Sequence, residues 1–162
     1  MILISACLLG VNCKYNGKNN FNKELNDILE DINIKNKLKA ICPEVAGGLS
    51  TPRAPSEIIN GDGQNILNKN NKALVINNNG VDVTEYFVRG VKNVWYEIEE
   101  KNIDFAILKS RSPSCGSSQI YSGDFSGTLK KGEGVMSAFL RQHGIEVYSE
   151  KEIDKIRKKV LT

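Results

Sequence analysis

The sequence predicts an α/β fold: a single-domain, three-layer sandwich whose sheet is mostly parallel and Rossmann-like. Three observations predict it. Short apolar runs of strand length (ILISA, LKAI, FAIL, IEVY) recur along the chain. Between them lie segments whose apolar residues return at helical spacing. No linker or internal repeat divides the 162 residues, a length suited to one core and one domain over 1–162. Strands alternating with helices pair in parallel and are covered on both faces.

Ile2 to Ala6 reads as the first buried strand, followed by a loop rich in Gly and Asn, GVNCKYNGKNN. From Asn22 to Ile32, the residues Leu25, Ile28, Leu29 and Ile32 form one helical stripe, and Leu38 to Ile41 is the second strand. The stretch PEVAGGLSTPRAPSEIINGDG holds three of the four prolines and reads as a long irregular segment. Loops this long inside a compact domain tend to be functional. Asn65–Leu67 and Ala73–Ile76, joined by NKNNK, suggest a small hairpin.

Asp82 or Thr84 caps the clearest helix, whose buried face is Phe87, Val88, Val91, Val94, Trp95 and Ile98. Phe105 to Leu108 is the next strand, and Gly116 to Lys131 reads as a polar, glycine-rich loop. A helix from Val135 to His143 ends at Gly144, Ile145 to Tyr148 is the last strand, and Ser149 caps a short basic helix.

Charge and composition narrow the function classes. A net charge of +3 without a basic arm gives no nucleic-acid signature, and no basic patch with interleaved aromatics supports RNA binding. The apolar start MILISACLLG lacks a basic n-region, and no apolar run approaches a membrane span. The expected setting is the cytoplasm, where thiols stay reduced and cysteines serve metals or chemistry.

Three of the four cysteines fall at or just beyond apolar strands: Cys7 after ILISA, Cys42 after LKAI, Cys115 after FAILKSRSPS. Carboxyl ends of parallel strands line one crevice, so these thiols are expected to meet there. Any single cysteine is as well explained as a small buried hydrophobe; three at corresponding strand ends are not. The spacing lacks the paired knuckles of a zinc ribbon and contains no C-x-x-C redox pair. Widely separated single cysteines suit an iron–sulfur centre, with a position left open for substrate. Cys13, on the glycine-rich loop, is either a fourth ligand or a neighbouring thiol.

Glu44, two residues past Cys42, is a candidate general acid/base at the same crevice. The segment from Lys109 to Ser118 is dense in hydroxyls and cations and suits an anion or a polar base edge. Lys109, Arg111, Ser117 and Ser118 are the candidate substrate contacts there, with Arg53 reaching in from the opposite side. The single histidine, His143, sits at a helix end and takes no catalytic role, which argues against Ser-His-Asp or Cys-His chemistry.

The segments SACLLGVNCKYNG, ICPEVAGGLSTPRAPSEI, DVTEYFVRG, LKSRSPSCGSSQIYSGDFSG and GEGVMSAFLRQHGIEV follow one another across nearly the whole chain. Together they resemble a bacterial family long catalogued only as a domain of unknown function, whose characterised members include thiouracil desulfidases. The resemblance implies a [4Fe–4S] cluster held by cysteines that map to Cys7, Cys42 and Cys115, with Cys13 outside the ligand pattern. It implies an oxygen-sensitive enzyme that takes sulfur from a thiolated pyrimidine (2-thiouracil, 4-thiouracil or 4-thio-UMP), giving uracil or UMP and hydrogen sulfide. The family's glutamate maps to Glu44, and its serine to Ser112, with Ser114 beside it. Two rivals stand next to this expectation: the same cluster on another sulfur compound, and a non-catalytic metal- or small-ligand-binding module.

Overall fold

The computed structural model describes residues 1–69, 72–98 and 102–162. In chain order the elements are β1 (Ile2–Ser5), a 3₁₀ turn (Ala6–Leu9), α1 (Lys23–Leu29), α2 (Ile32–Lys35), β2 (Leu38–Ile41) and α3 (Pro43–Ala46). There follow β3 (Ser56–Ile59), α4 (Gly63–Leu67), β4 (Leu74–Asn77), α5 (Thr84–Ile98) and β5 (Phe105–Leu108). The chain closes with β6 (Gln119–Tyr121), β7 (Leu129–Lys131), α6 (Val135–Gln142), β8 (Val147–Ser149) and α7 (Ile153–Leu161).

Four strands form a parallel sheet in the order β2-β1-β5-β8. Side chains alternate across it and feed two cores. Ile2, Ile4, Phe105 and Ile107 pack with Leu25 and Leu29 of α1, Ile34 of α2 and Ile156 of α7. Leu3, Ile41, Ala106 and Leu108 pack with Phe87, Val91 and Val94 of α5 and Met136 and Leu140 of α6. The expected α/β sheet with helices on both faces is the observed fold. From β1 the chain moves outward to β2, and from β5 outward the other way to β8, so strand order reverses between β1 and β5. In open α/β sheets a crevice opens at that switch point, outside the carboxyl ends.

Five of the expected features differ in the structure, each for a local reason. The helix expected over 22–32 breaks after α1: Asn22 caps α1 through Leu25 N–H at 2.9 Å, Asp31 starts α2, and Ile32 is exposed. The segment taken as irregular contains α3 and β3, and β3 pairs antiparallel with β4. The expected partner strand 65–67 is helical because Asp62 and Asn65 form a reciprocal capping box at the start of α4; part of its NKNNK connector lies outside the described residues. The loop expected over 116–131 folds into the β6–β7 hairpin. Ser149 ends β8 rather than capping α7, whose cap position is Glu152. Asp82 does cap α5, accepting Thr84 N–H at 2.9 Å. No helix among the described residues is long and apolar enough to cross a membrane.

Candidate active site

A crevice of about 480 Å³ opens at the switch point, and Cys7, Cys13, Cys42 and Cys115 all line it. Each thiol arrives by a different local device. Cys7 rides the 3₁₀ turn that leaves β1, its carbonyl taking Asn20 N–H at 2.9 Å. Cys42 is the extended cap residue of α3, with Pro43 fixing the first helical position. Cys115 is pinned through its backbone: its carbonyl accepts Ser137 Oγ at 2.6 Å, and its N–H donates to Ser112 Oγ at 3.1 Å.

Glycine contacts fix these placements. A Cβ on Gly90 of α5 would stand 1.9 Å from the Pro43 carbonyl, and one on Gly47 would stand 2.0 Å from the Tyr86 carbonyl. Only glycine lets α3, and with it Cys42 and Glu44, seat this closely on α5. Gly134 similarly beds the Ser114–Cys115 peptide, where an added Cβ would meet Ser114 C at 2.5 Å.

The thiols sense one another. Hydrogen bonding with Cys13 is the main influence that brings the Cys7 and Cys42 thiols down to about 7, against the opposing cost of burial. Cys13 keeps its proton far above the usual thiol range, because that proton serves its two neighbours. Burial pushes Cys115 up to about 12, and contacts with Ser5 and Ser114 only partly offset it. Mutual repulsion couples Cys7, Cys42 and Cys115, as expected for anions sharing one cavity.

This donor set, three free cysteines lining one crevice, fits an iron–sulfur cluster. A cluster takes one thiolate per iron and needs thiols spaced around a shared cavity, the arrangement of Cys7, Cys42 and Cys115.

Beside the thiols runs a continuous polar line. Glu44 accepts Arg53 Nε at 3.1 Å on one oxygen and Ser114 Oγ at 2.8 Å on the other. Ser112 Oγ lies 2.8 Å from Ser114 Oγ and accepts the N–H groups of Ser114 and Cys115. Ser114 has one hydroxyl proton, spent on Glu44, so Ser112 is the donor between the two serines. The hydrogen bonds therefore run Ser112 to Ser114 to Glu44. Glu44, Ser112 and Ser114, expected at the site from sequence, come together there.

The expected substrate contacts divide. The Arg53 side chain is only 6% exposed; besides Glu44 it donates to the Cys13 and Ser50 carbonyls and Thr51 Oγ1. Lys109 lines the crevice, but its ammonium is held by Glu150 at 2.8 Å and by Ser110. Arg111 lines the crevice, is exposed, and has no ion-pair partner among the described residues. Ser117 and Ser118 do not reach the crevice. Ser117 is buried with its carbonyl on Arg141, and Ser118 holds Gly132 N–H through its own carbonyl. His143 lies away from the site, packed between Trp95 and Phe139.

Glu57, Tyr15, Tyr121 and Phe125 also line the crevice and carried no sequence signal. Glu57 sits on β3 and the last two belong to the β6–β7 hairpin, in segments that read as irregular loops.

Comparison with known proteins agrees with this geometry. The sequence profile of the 2-thiouracil desulfurase family matches residues 2–152. The uncharacterized protein YbbK of Bacillus subtilis (strain 168) is 42% identical over 156 residues, 96% of this chain and 99% of YbbK. Among solved structures, the [4Fe–4S]-dependent thiouracil desulfidase TudS superposes with a TM-score of 0.78 at 39% identity. That match covers 95% of this chain and 93% of TudS.

Proposed function

Because this chain belongs to the 2-thiouracil desulfurase family, we propose that it is a [4Fe–4S]-dependent desulfidase that removes the sulfur of a thiolated pyrimidine. The observation that carries this reading is the convergence of Cys7, Cys42 and Cys115 beside the Ser112–Ser114–Glu44 line in one crevice.

Cys7, Cys42 and Cys115 would hold the cluster. When bound, it supplies an iron without a protein ligand, a Lewis acid for the thiocarbonyl sulfur. Glu44 takes a proton from the water that attacks the thiocarbonyl carbon; each of its oxygens retains a lone pair beyond its existing bond. Protonated Glu44 returns that proton to the bonded Ser114, whose own hydroxyl proton goes to the departing sulfur, while Ser112 holds Ser114 in line and transfers none. Arg53 keeps Glu44 aimed while tying it to the Cys13 carbonyl. The sum is thiocarbonyl plus water giving carbonyl plus hydrogen sulfide, a hydrolysis that needs no electron donor.

Of the three cations among the expected substrate contacts, Arg53 and Lys109 are already paired with carboxylates, which leaves Arg111 at the mouth for a phosphate. A free base therefore satisfies the interior of the site, and a nucleotide phosphate would rest on Arg111. The test is sulfide release by the anaerobically reconstituted chain from 2-thiouracil, 4-thiouracil, 4-thio-UMP and thiourea. Turnover of the pyrimidines and none of thiourea supports this reading. Preference for thiourea would move the activity to another sulfur compound, and binding of all four without turnover would favour a binding module.

A further inference from the structure

The β6–β7 hairpin carries an aromatic ring into the crevice on a tip that is fixed at several points. Phe125 lines the crevice, is 38% exposed, and has no ring partner among the described residues. Its backbone is held at φ +56, a left-handed conformation that a residue with a side chain adopts only under constraint. The constraint comes largely from Glu57, a buried carboxylate on β3 that accepts Gly123 N–H at 2.9 Å and Phe125 N–H at 3.2 Å. Gly123 lies against β3, where an added Cβ would meet the Ile58 carbonyl at 2.8 Å. Asp124 closes the turn through Ser122 Oγ and Ser126 Oγ, each at 2.6 Å, and Lys130 Nζ ties the hairpin to the Ile58 carbonyl at 2.8 Å.

A strained turn held by a buried acid, ending in an unpartnered ring at the mouth of the crevice, calls for a flat apolar ligand face. Resting on the thiolated-pyrimidine reading above, we propose that Phe125 stacks on the planar ring of the substrate and that Glu57 is the positioning residue that sets it there. The polar line of Glu44 and the serines addresses the ring's edge, and Phe125 supplies the contact to its face.

The test separates stacking from scaffolding by using ring planarity as the variable. Uracil and the puckered 5,6-dihydrouracil are titrated calorimetrically into the reconstituted full chain, and KM and kcat are measured with 2-thiouracil. Wild type is expected to favour uracil by about tenfold, within the range of base–aromatic stacking. Phe125→Ala is expected to bind both rings alike and to raise KM by about tenfold with kcat and the visible spectrum unchanged; Phe125→Trp restores the preference. Glu57→Ala is expected to behave as Phe125→Ala, whereas Glu57→Gln, whose amide oxygen still accepts both N–H groups, remains as wild type. A Phe125→Ala protein that keeps the planar-ring preference overturns the stacking role, and a Glu57→Ala protein that keeps it overturns the positioning role. Failure of wild type to bind uracil or turn over 2-thiouracil would instead overturn the substrate class, and the proposal with it.

Discussion

Replacing Glu44 by glutamine separates the charge of this side chain from its shape. The pair it forms with Arg53 is largely buried, with side chains 15% and 6% exposed. Deleting one partner of a buried pair costs about 3–5 kcal/mol, because the other charge is stranded. Here the glutamine amide oxygen still accepts Arg53 Nε, and Arg53 keeps the Cys13 and Ser50 carbonyls and Thr51 Oγ1. The stability loss should therefore resemble that of one charged hydrogen bond, about 1.5–3 kcal/mol. Turnover should suffer more. A positioned general base contributes about 10²–10⁴ in rate, equivalent to roughly 3–5 kcal/mol of barrier. The assay is initial sulfide release from 2-thiouracil by the reconstituted variant, beside its visible spectrum and urea midpoint. Glu44→Gln should hold its cluster, unfold at a modestly lower midpoint and lose at least a hundredfold in kcat. Full turnover with the cluster in place would remove Glu44 from the chemistry. Loss of the cluster would make Glu44 a scaffold for Cys42 instead.

Three further outcomes follow from the same geometry. Cys13→Ser should retain iron and visible absorbance, while Ser at Cys7, Cys42 or Cys115 should each abolish them; iron loss in Cys13→Ser would make it a fourth ligand. Gly90→Ala should cost about 1–3 kcal/mol of stability by overpacking and should depress turnover through displacement of α3, measured by thermal unfolding and sulfide release; wild-type behaviour in both would refute the close-contact argument. Glu150 gives a pH dependence. Burial pushes its carboxyl up, but hydrogen bonds from Lys109 and Ser110 prevail and hold it below the usual glutamate value. A depressed folded value means that its contribution is complete above about pH 4.3, the unfolded value, and is lost as pH falls through the folded one. The urea-midpoint gap between wild type and Glu150→Gln should thus be constant near neutrality and shrink in acid; a gap independent of pH would show that this carboxylate does not anchor the 109–115 loop by charge.

The sheet was legible because β1 and β5 are continuous apolar runs, the pattern of strands buried on both faces. The cysteines were legible for the same reason: a strand end is a place in space once the sheet is parallel. Segment 43–63 was not, because α3 and β3 are four residues each and are stabilised by packing rather than by periodicity. Asn65–Leu67 misled because its capping partner, Asp62, sat inside a run of turn-forming residues. The roles of Arg53 and Lys109 depended on Glu44 and Glu150, nine and 41 residues away, which no local pattern reveals. Ser117 and Ser118 share the composition of the serine-rich segment before them, but past the turn that Gly116 N–H closes on the Ser112 carbonyl they do not line the crevice. The aromatic wall needed the hairpin register, where Gln119 opposes Lys131 and Tyr121 opposes Leu129.

The most direct test is anaerobic reconstitution of the wild-type chain, with iron, sulfide and uracil measured after addition of 2-thiouracil. A cluster-dependent desulfidase should bind about four irons per chain and release sulfide and uracil in equal amounts, with no release before reconstitution. Sulfide release without iron, or a stable cluster that releases none from any thiolated pyrimidine, would contradict it.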